Sequence, residues 1–276
     1  MNEKVTLPLL QRRKERGEKI AMVTCYDYPS ARLLDEAGID VLLVGDSLAD
    51  NVLGYETTLP VTLEEMIHHA RAVRRGATRA MVLVDMPFMS YQVTPEEALR
   101  SAGRVMKETG VHGVKLEGGS TLAATVKKLV NAGIPVMGHI GLTPQSIHLF
   151  GGYRIQGRNP ASAGRLKHDA LALAEAGAFA IVLELVDPEV ARAISEACPI
   201  PTIGIGSGPH CDGQVLVFHD LFGLYPERTF RHVKRYAEVG RDIREAAARF
   251  AEDVRTGQFP VDEKEAVVRP TAERRE

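Results

Sequence analysis

Residues 41–47 read VLLVGDS: four consecutive apolar residues, then a glycine, an aspartate and a serine. Seven other short runs, rich in apolar and β-branched residues, recur along the chain, and helix-like segments alternate with them. Near-continuous apolar strands are typical of a parallel sheet whose two faces are both covered. The eight predicted strands are 20–24, 41–44, 80–84, 111–116, 134–137, 178–183, 201–205 and 214–218.

The helix-like segments between these runs carry start and stop signals. Thr94-Pro95-Glu96-Glu97 is typical of a helix start, and glycines such as Gly110 and Gly133 follow predicted helix ends. Eight strands alternating with helices favour a single (β/α)8 TIM barrel, with an open doubly wound sheet as the alternative. The predicted helices are 30–37, 63–75, 96–109, 121–131, 166–176 and 189–197.

Length and composition agree with one soluble domain. The chain has 276 residues, and single barrels of about 250 residues are common, so we expect one domain over residues 1–276. The net charge of −2, the 5% aromatic content and the lack of tryptophan argue against nucleic-acid binding. The three cysteines are far apart and form no C-x-x-C, which disfavours disulfides and thiolate zinc sites.

Neither terminus predicts a membrane segment. The N-terminal region has charges on both sides of a short apolar run, and no stretch reaches about 18 uninterrupted apolar residues. A cytoplasmic protein without membrane partners is expected. Residues 259–276 are polar, contain two prolines and are predicted to be a mobile tail. Residues 151–164 are long for a loop between strand and helix, which predicts either a substrate loop or a floppy insertion.

Polar residues follow the predicted strands at the end where barrel enzymes carry their catalytic groups. Asp46 and Ser47 follow the second strand, Asp85 the third, and Glu184 the sixth. Strand four runs into Lys115 and Glu117, which are two residues apart, so their side chains point to the same face.

Four acids and a lysine are thereby predicted to converge on one mouth. Burying so many carboxylates without counter-charge is costly, and a divalent cation together with Lys115 removes the difficulty. Carboxylate oxygens without neighbouring cysteine or histidine favour a hard ion, Mg²⁺ before Mn²⁺. The alternative is that each acid caps the following helix, which is common for a single aspartate in such a position.

Three other features leave alternatives open. Gly45-Asp46-Ser47-Leu48 spells the signature of hydrolases with a serine nucleophile, but the C-terminal third lacks the Asp-x-x-His that those enzymes need. Gly204-Ile205-Gly206-Ser207-Gly208 predicts either an anion cradle or a tight turn. His139 follows the fifth predicted strand. It is expected either to line the site or to be a structural histidine whose hydrogen bonds are satisfied within the protein.

The motifs at these positions resemble those of the ketopantoate hydroxymethyltransferase family. They lie between residues 20 and 225, and their combination is highly specific. The matching stretches are MVTCYDYPSA, VLLVGDSLADNVLGYETTLPVTLEEMIHH, DMPFMSYQ, GVKLEGG, VMGHIGLTPQS, GAFAIVLELV and GIGSGPHCDGQVLVFHDLFGL.

The resemblance implies roles for individual residues. Asp46, Asp85 and Glu117 match the acids of the family's magnesium site. Asp46, Ser47, Asp85 and Lys115 match the contacts to the 2-keto acid, and Glu184 matches the proton acceptor. Two departures concern Asp187, where the family usually has valine before the proline, and the C-terminal end, which lacks the usual Glu-His-Ser-Phe.

The same resemblance implies a reaction and an assembly. The expected fold is a barrel of the phosphoenolpyruvate/pyruvate type. The expected activity is Mg²⁺-dependent enolisation of 3-methyl-2-oxobutanoate and addition of the methylene carbon of 5,10-methylenetetrahydrofolate, which gives 2-dehydropantoate for pantothenate synthesis. The expected assembly is a homo-oligomer, a decamer in many relatives. The alternatives are a Mg²⁺-dependent pyruvate-enolate aldolase or lyase, and a non-catalytic barrel.

Overall fold

Eight parallel strands pair in chain order and close into a barrel, with the last strand hydrogen-bonded to the first. The computed structural model describes residues 3–225, 230 and 232–260. The predicted (β/α)8 barrel is confirmed, and the open sheet is excluded. The strands are β1 (Ile20–Thr24), β2 (Val41–Val44), β3 (Met81–Asp85), β4 (Gly113–Glu117), β5 (Val136–Gly141), β6 (Ala180–Glu184), β7 (Thr202–Ile205) and β8 (Gly213–Leu216).

Helices alternate with these strands, and their starts follow local capping chemistry. The Thr94 side chain accepts a hydrogen bond from the backbone amide of Glu97, as the sequence at this helix start predicts. The helices are α1 (Leu7–Arg16), α2 (Tyr28–Glu36), α3 (Leu48–Asn51), α4 (Leu63–Gly76), α5 (Pro95–Thr109), α6 (Ala123–Asn131), α7 (Ile147–Phe150), α8 (Pro160–Glu175), α9 (Pro188–Ala197), α10 (Phe218–Leu221) and α11 (Val239–Thr256).

The helices differ from the predicted set in several places. Helix α8 begins at Pro160, six residues before its predicted start at Leu166, because Asn159 caps it through a hydrogen bond from Ser162 N. The loop predicted at 151–164 is therefore shorter than expected. Helices α1, α3, α7, α10 and α11 lie outside the predicted set. Leu10 of α1 and Val5 belong to the same buried core cluster as Ile20 of β1 and Val41 of β2. Leu10 and Val5 extend the barrel core at the amino ends of the strands.

Strand register places the predicted site residues next to one another. Asp85 of β3 pairs with Lys115 of β4, and Glu117 of β4 pairs with His139 of β5. Glu184 ends β6 beside Gly141, the last residue of β5. Because all strands are parallel, these residues lie at one end of the barrel, the end formed by the strands' carboxyl termini.

The described residues form two compact units. One extends to Phe218, contains the barrel, and includes His232 and Val233; the other comprises the remaining described residues from His219 onward. Helix α11 belongs to the second unit. The tail predicted at 259–276 lies outside the described residues beyond Pro260. No helix within the described ranges is both long and apolar enough to cross a membrane.

Candidate active site

The structure brings all the predicted site residues to the carboxyl end of the barrel. Each is placed by a strand: four are strand residues, and the other two follow a strand directly. Apart from Ser47 and Glu184, which are partly exposed, their side chains are buried. The set consists of Asp46 and Ser47 after β2, Asp85 in β3, Lys115 and Glu117 in β4, and Glu184 in β6.

Lys115 and Asp85 form a buried ion pair at the centre of this group. The Lys115 ammonium lies 2.9 Å from Asp85 Oδ1, although that oxygen accepts no well-aligned hydrogen bond. The other oxygen, Oδ2, accepts a 3.1 Å hydrogen bond from the backbone amide of Asp46. Asp85 is therefore held from two sides, by a charge on β4 and by the backbone that follows β2.

Asp46 and Asp85 do not cap the helices that follow them. The residue that precedes α3 is Ser47, and its side chain makes no capping hydrogen bond. Helix α5, which follows β3, is capped by Thr94, nine residues beyond Asp85. Ser47 Oγ instead lies 2.8 Å from the hydroxyl of Tyr26. Asp46 and Asp85 are thus left to interact with each other and with Lys115.

His139 stands between two of the acids. Its Nε2 lies 3.2 Å from Glu184 Oε2, a charge contact without good hydrogen-bond alignment. Its Nδ1 lies 3.4 Å from Glu117 Oε1 and 3.1 Å from the Lys115 ammonium. The structure therefore decides the open question about His139: this imidazole lines the site.

Burial and mutual repulsion shift the protonation of the group. Burial, followed by the charges of Glu117 and Asp85, raises the pKa of Asp46 well above its usual value. Burial also raises the pKa of Asp85, although Lys115 partly offsets it. Burial would lower the pKa of Lys115, but the three surrounding carboxylates outweigh it and raise that pKa. Burial and the neighbouring carboxylates therefore disfavour the charged form of Asp46.

The neighbouring charges also shift the pKa of His139. Burial and Lys115 act to lower the pKa of His139, but contacts with Glu117 and Glu184 outweigh them and raise it to about 9. Conversely, burial would raise the pKa of Glu117, but His139 and Lys115 lower it. His139 therefore contacts the Lys115 ammonium through Nδ1 and faces both glutamates.

Two residues that sequence reasoning did not single out complete the site. Gln145 donates from its side-chain amide to Asp46 Oδ2 and from its backbone amide to Glu117 Oε2, both at 2.9 Å. The hydroxyl of Tyr91 lies 2.7 Å from Gln145 Oε1 and accepts a hydrogen bond from Glu117 N. Tyr91 lies in the family motif DMPFMSYQ and Gln145 in VMGHIGLTPQS. Because both are uncharged loop residues, nothing in the sequence pattern marks them individually as site residues.

The backbone around Glu184 is tightly constrained. Leu185, which follows it, has a φ of 47°, an unfavourable left-handed conformation for a residue with a side chain. Glu184 O accepts a hydrogen bond from Leu142 N, and a Cβ on Gly141 would lie 2.2 Å from that oxygen. Strained residues of this kind cluster at functional sites because the surrounding structure must hold them.

The glycine-rich segment after β7 supports this turn. Gly206 and Gly208 have φ values of 64° and 79°, which a tight turn requires. The hydroxyl of Ser207, fully buried, donates to Leu183 O and accepts from Val186 N. The tight-turn interpretation of this motif therefore accounts for its glycines and its serine.

Comparison with known proteins identifies relatives over nearly the whole chain. Residues 4–262 match the family described as ketopantoate hydroxymethyltransferase. The 3-methyl-2-oxobutanoate hydroxymethyltransferase of Carboxydothermus hydrogenoformans is 56% identical over 268 residues, which cover 97% of each chain. The enzyme of the same name from Moorella thermoacetica is 55% identical over 260 residues, covering 94% of this chain and 97% of the relative.

Solved structures with the same fold are more distant in sequence. A 2,3-dimethylmalate lyase of the PEP mutase/isocitrate lyase superfamily aligns with a TM-score of 0.59 and 19% identity, covering 95% of this chain and 91% of its own. A phosphoenolpyruvate phosphomutase from Streptomyces platensis subsp. rosaceus aligns with a TM-score of 0.60 and 14% identity, covering 91% and 88%. At this identity the likeness concerns the barrel fold alone.

Proposed function

The chain belongs to the ketopantoate hydroxymethyltransferase family, and we propose that the acidic mouth of its barrel carries out the family's reaction by metal-assisted enolisation. It is a hydroxymethyltransferase of pantothenate biosynthesis, since well-covered relatives above 50% identity have that activity in their names. The observation that supports the site assignment is that Asp46, Asp85 and Glu117 meet at the end of the barrel. Asp85 contacts Lys115 and the backbone amide of Asp46, and Gln145 contacts both Asp46 and Glu117.

The proposed substrates are 3-methyl-2-oxobutanoate and 5,10-methylenetetrahydrofolate. Carbon 3 of the keto acid loses its proton and forms a new carbon–carbon bond to the methylene carbon of the folate. Water supplies the hydroxyl oxygen, tetrahydrofolate leaves, and 2-dehydropantoate is the other product. No electrons are exchanged with an outside oxidant, so the reaction balances with these reactants alone.

The donor set fits a hard divalent cation. Within residues 3–225, 230 and 232–260, no three histidine, cysteine or acidic side chains are arranged as a ready-made metal site. Mg²⁺ does not require one, because it commonly uses one or two protein carboxylates with water and substrate oxygens. Asp46 and Asp85 offer such oxygens. Burial, followed by the charges of Glu117 and Asp85, raises the pKa of Asp46, and a bound cation would offset both effects. We propose Asp46, Asp85 and Glu117 as the acids that hold it.

When bound, Mg²⁺ would polarise the ketone of the keto acid and so make the proton on carbon 3 more acidic. Lys115 supplies a permanent positive charge, which offsets the substrate carboxylate or the developing enolate oxygen. Ser47 can hydrogen-bond the same carboxylate, because its hydroxyl lies at the end of β2 beside Asp46. We assign Glu184 as the base that takes the proton from carbon 3. His139 contacts that carboxylate and limits where it can point.

The two alternative functions have less support. A pyruvate-enolate lyase would share the barrel and the acidic mouth, but the 2,3-dimethylmalate lyase of known structure is 19% identical to this chain, against 51–56% for the hydroxymethyltransferases. A non-catalytic barrel would be expected to have lost some of the costly buried acids. All four acids and the lysine are present and in contact with one another or with His139.

Two further proposals concern the oligomeric state of the protein and its cellular location. We propose a homo-oligomer because α11 carries a row of exposed apolar side chains, Ile243, Phe250 and Val254. The resemblance suggests a decamer. We also propose a cytoplasmic location, since Cys25, Cys198 and Cys211 are all buried free thiols.

Deuterium exchange at carbon 3 tests the proposed function directly. In D₂O with Mg²⁺, the protein should exchange the C3 proton of 3-methyl-2-oxobutanoate without folate, and should form 2-dehydropantoate when 5,10-methylenetetrahydrofolate is added. Removal of the metal with EDTA should stop the exchange. Metal-independent exchange would exclude the assigned cation, and exchange of pyruvate protons alone would support the lyase alternative.

A further inference from the structure

Gln145 occupies a central position in the acidic mouth without carrying a charge. It lies in the 3-10 turn Pro144–Ser146 that follows β5, and its side chain is buried. From there it contacts residues that follow or end three other strands: Asp46 after β2, Met86 after β3, and Glu117 in β4. One side chain and its own backbone amide thus connect four neighbouring strand ends.

Every hydrogen-bonding position of the Gln145 side chain is used. Nε2 donates to Asp46 Oδ2 and to Met86 O, both at 2.9 Å. Oε1 accepts from the Tyr91 hydroxyl at 2.7 Å and from Gln92 Nε2 at 3.0 Å. A primary amide offers two N–H donors and two acceptor lone pairs, so none remains. A flipped amide would place its oxygen against a carboxylate and a carbonyl, so the surroundings select one orientation.

The backbone amide of the same residue holds a second acid. It donates to Glu117 Oε2 at 2.9 Å, while the Tyr91 hydroxyl accepts from Glu117 N and lies 3.1 Å from Glu117 O. Gln145 and Tyr91 therefore grip Glu117 by its side chain and by its backbone. Gln145 thus contacts one carboxylate oxygen of each acid, Asp46 Oδ2 and Glu117 Oε2.

We propose that Gln145 is a positioning residue that holds Asp46 and Glu117 at the separation a divalent cation requires. The two carboxylates repel one another, so without a tie they would move apart when no cation is bound. A lysine or arginine could tie them, but its positive charge would compete with the cation. A neutral amide with two donors orients the acids and leaves their negative charge available. This inference rests on the proposed metal-dependent function.

Direct measurement of Mn²⁺ binding, by electron paramagnetic resonance of the free ion, tests this role without measuring activity. Gln145→Met keeps the length of the side chain and removes all four hydrogen bonds. Loss of groups that orient metal-binding side chains commonly costs about 10- to 100-fold in affinity, and we expect the Kd for Mn²⁺ to rise by that factor. Gln92→Met is the matched control, because it removes one bond to Gln145 Oε1 but leaves the contacts with Asp46 and Glu117. Its Kd should stay close to that of the wild type.

Folding is checked separately by thermal unfolding in EDTA. If Gln145→Met does not fold, Tyr91→Phe replaces it, since this change removes the hydroxyl that contacts Gln145 Oε1 and Glu117 N. Its Kd should rise by roughly tenfold, the lower end of the range for such supporting groups. Equal Mn²⁺ affinity in the wild type and in the folded variant would overturn the role of Gln145 alone. A wild type that binds no Mn²⁺ would overturn the proposed metal site, and this inference with it.

Discussion

His139 Nε2 lies 3.2 Å from Glu184 Oε2, so the imidazole of β5 faces the carboxylate that ends β6. The contact is buried on the histidine side and partly open on the glutamate side, where the Glu184 side chain is 16% exposed. A base that removes a carbon-bound proton needs this combination, because its carboxylate must be fixed in direction and still reach the substrate. The relationship leads to the first prediction.

Glu184→Gln should abolish exchange of the C3 proton while the keto acid still binds. The amide keeps the size of the side chain but cannot accept a proton, and general-base groups contribute roughly 100- to 10,000-fold to such rates. Deuterium washout followed by NMR measures the exchange, and calorimetry measures binding of 3-methyl-2-oxobutanoate.

The control for this change is Glu189→Gln on α9. Glu189 is an exposed glutamate in the first turn of α9, paired with Arg192, and its loss should leave both measurements unchanged. Undiminished exchange in Glu184→Gln would remove Glu184 as the base.

The conformation after Glu184 predicts a severe effect of Gly141→Ala. Gly141 has a φ of 97°, and its added Cβ would lie 2.2 Å from Glu184 O and 2.7 Å from Val186 Cγ2. The strain should cost at least about 2 kcal/mol of unfolding free energy, and should lower kcat further by displacing the backbone of Glu184. Urea unfolding and steady-state kinetics measure the two effects.

Gly103→Ala is the matched control for that substitution. Gly103 lies inside α5, and a Cβ there would meet nothing within 4 Å. Alanine should therefore raise the unfolding free energy by up to about 1 kcal/mol and leave kcat unchanged. If Gly141→Ala were as stable and active as Gly103→Ala, the close approach of Gly141 to the backbone of Glu184 would not matter for stability or catalysis.

The fold and the charged part of the site could be predicted from the sequence because both follow from local patterns. The runs at 20–24 and 41–44 match β1 and β2 residue for residue. Strand β2 is buried along its whole length and contains only apolar residues, so its bounds are sharp in the sequence. Asp46, Asp85 and Glu117 were found because charged residues at the ends of apolar strands stand out.

Gln145 and Tyr91 could not be found in the same way. Gln145 follows β5 by four residues and Tyr91 follows β3 by six, in segments where polar and aromatic residues are ordinary. Their importance lies in hydrogen bonds to residues 26 to 99 positions away along the chain. Such contacts depend on how the loops fold inward, which local periodicity does not encode.

His112 predicts a pH dependence of stability outside the site. Its Nδ1 accepts a 2.9 Å hydrogen bond from Val82 N, which requires the unprotonated ring, and burial lowers its pKa below the usual value of about 6.5. Above that value both the folded and the unfolded chain carry a neutral His112, and the stabilisation is complete. Below it the unfolded chain binds the proton first, so this contribution falls as the pH drops toward the folded pKa.

His112→Asn tests this dependence, because the asparagine oxygen can accept the same hydrogen bond but does not titrate. Between pH 7 and pH 5 the wild type should lose more unfolding free energy than the variant, as measured by urea unfolding. Both proteins share all other titrating groups, so the difference between them isolates His112. Equal losses would contradict the assignment.

Helix α11 predicts the effect of disrupting the proposed oligomer. Ile243, Phe250 and Val254 are 57%, 56% and 48% exposed and lie on one face of this 18-residue helix, at the spacing of successive turns. Covering such a row against a second copy would remove apolar surface from water, and this drives association. The double change Ile243→Glu with Phe250→Glu places two charges in that row and should reduce the molar mass measured by light scattering after size exclusion.

Glu252→Lys provides the control, since Glu252 is exposed on the opposite face of α11 and its change should leave the molar mass as in the wild type. Circular dichroism should be the same for all three proteins, because neither set of changes touches the barrel core. A monomeric wild type would refute the oligomer itself. A double variant with the wild-type mass would instead place the subunit contact on another surface, because two buried charges without partners would cost too much for the interface to persist.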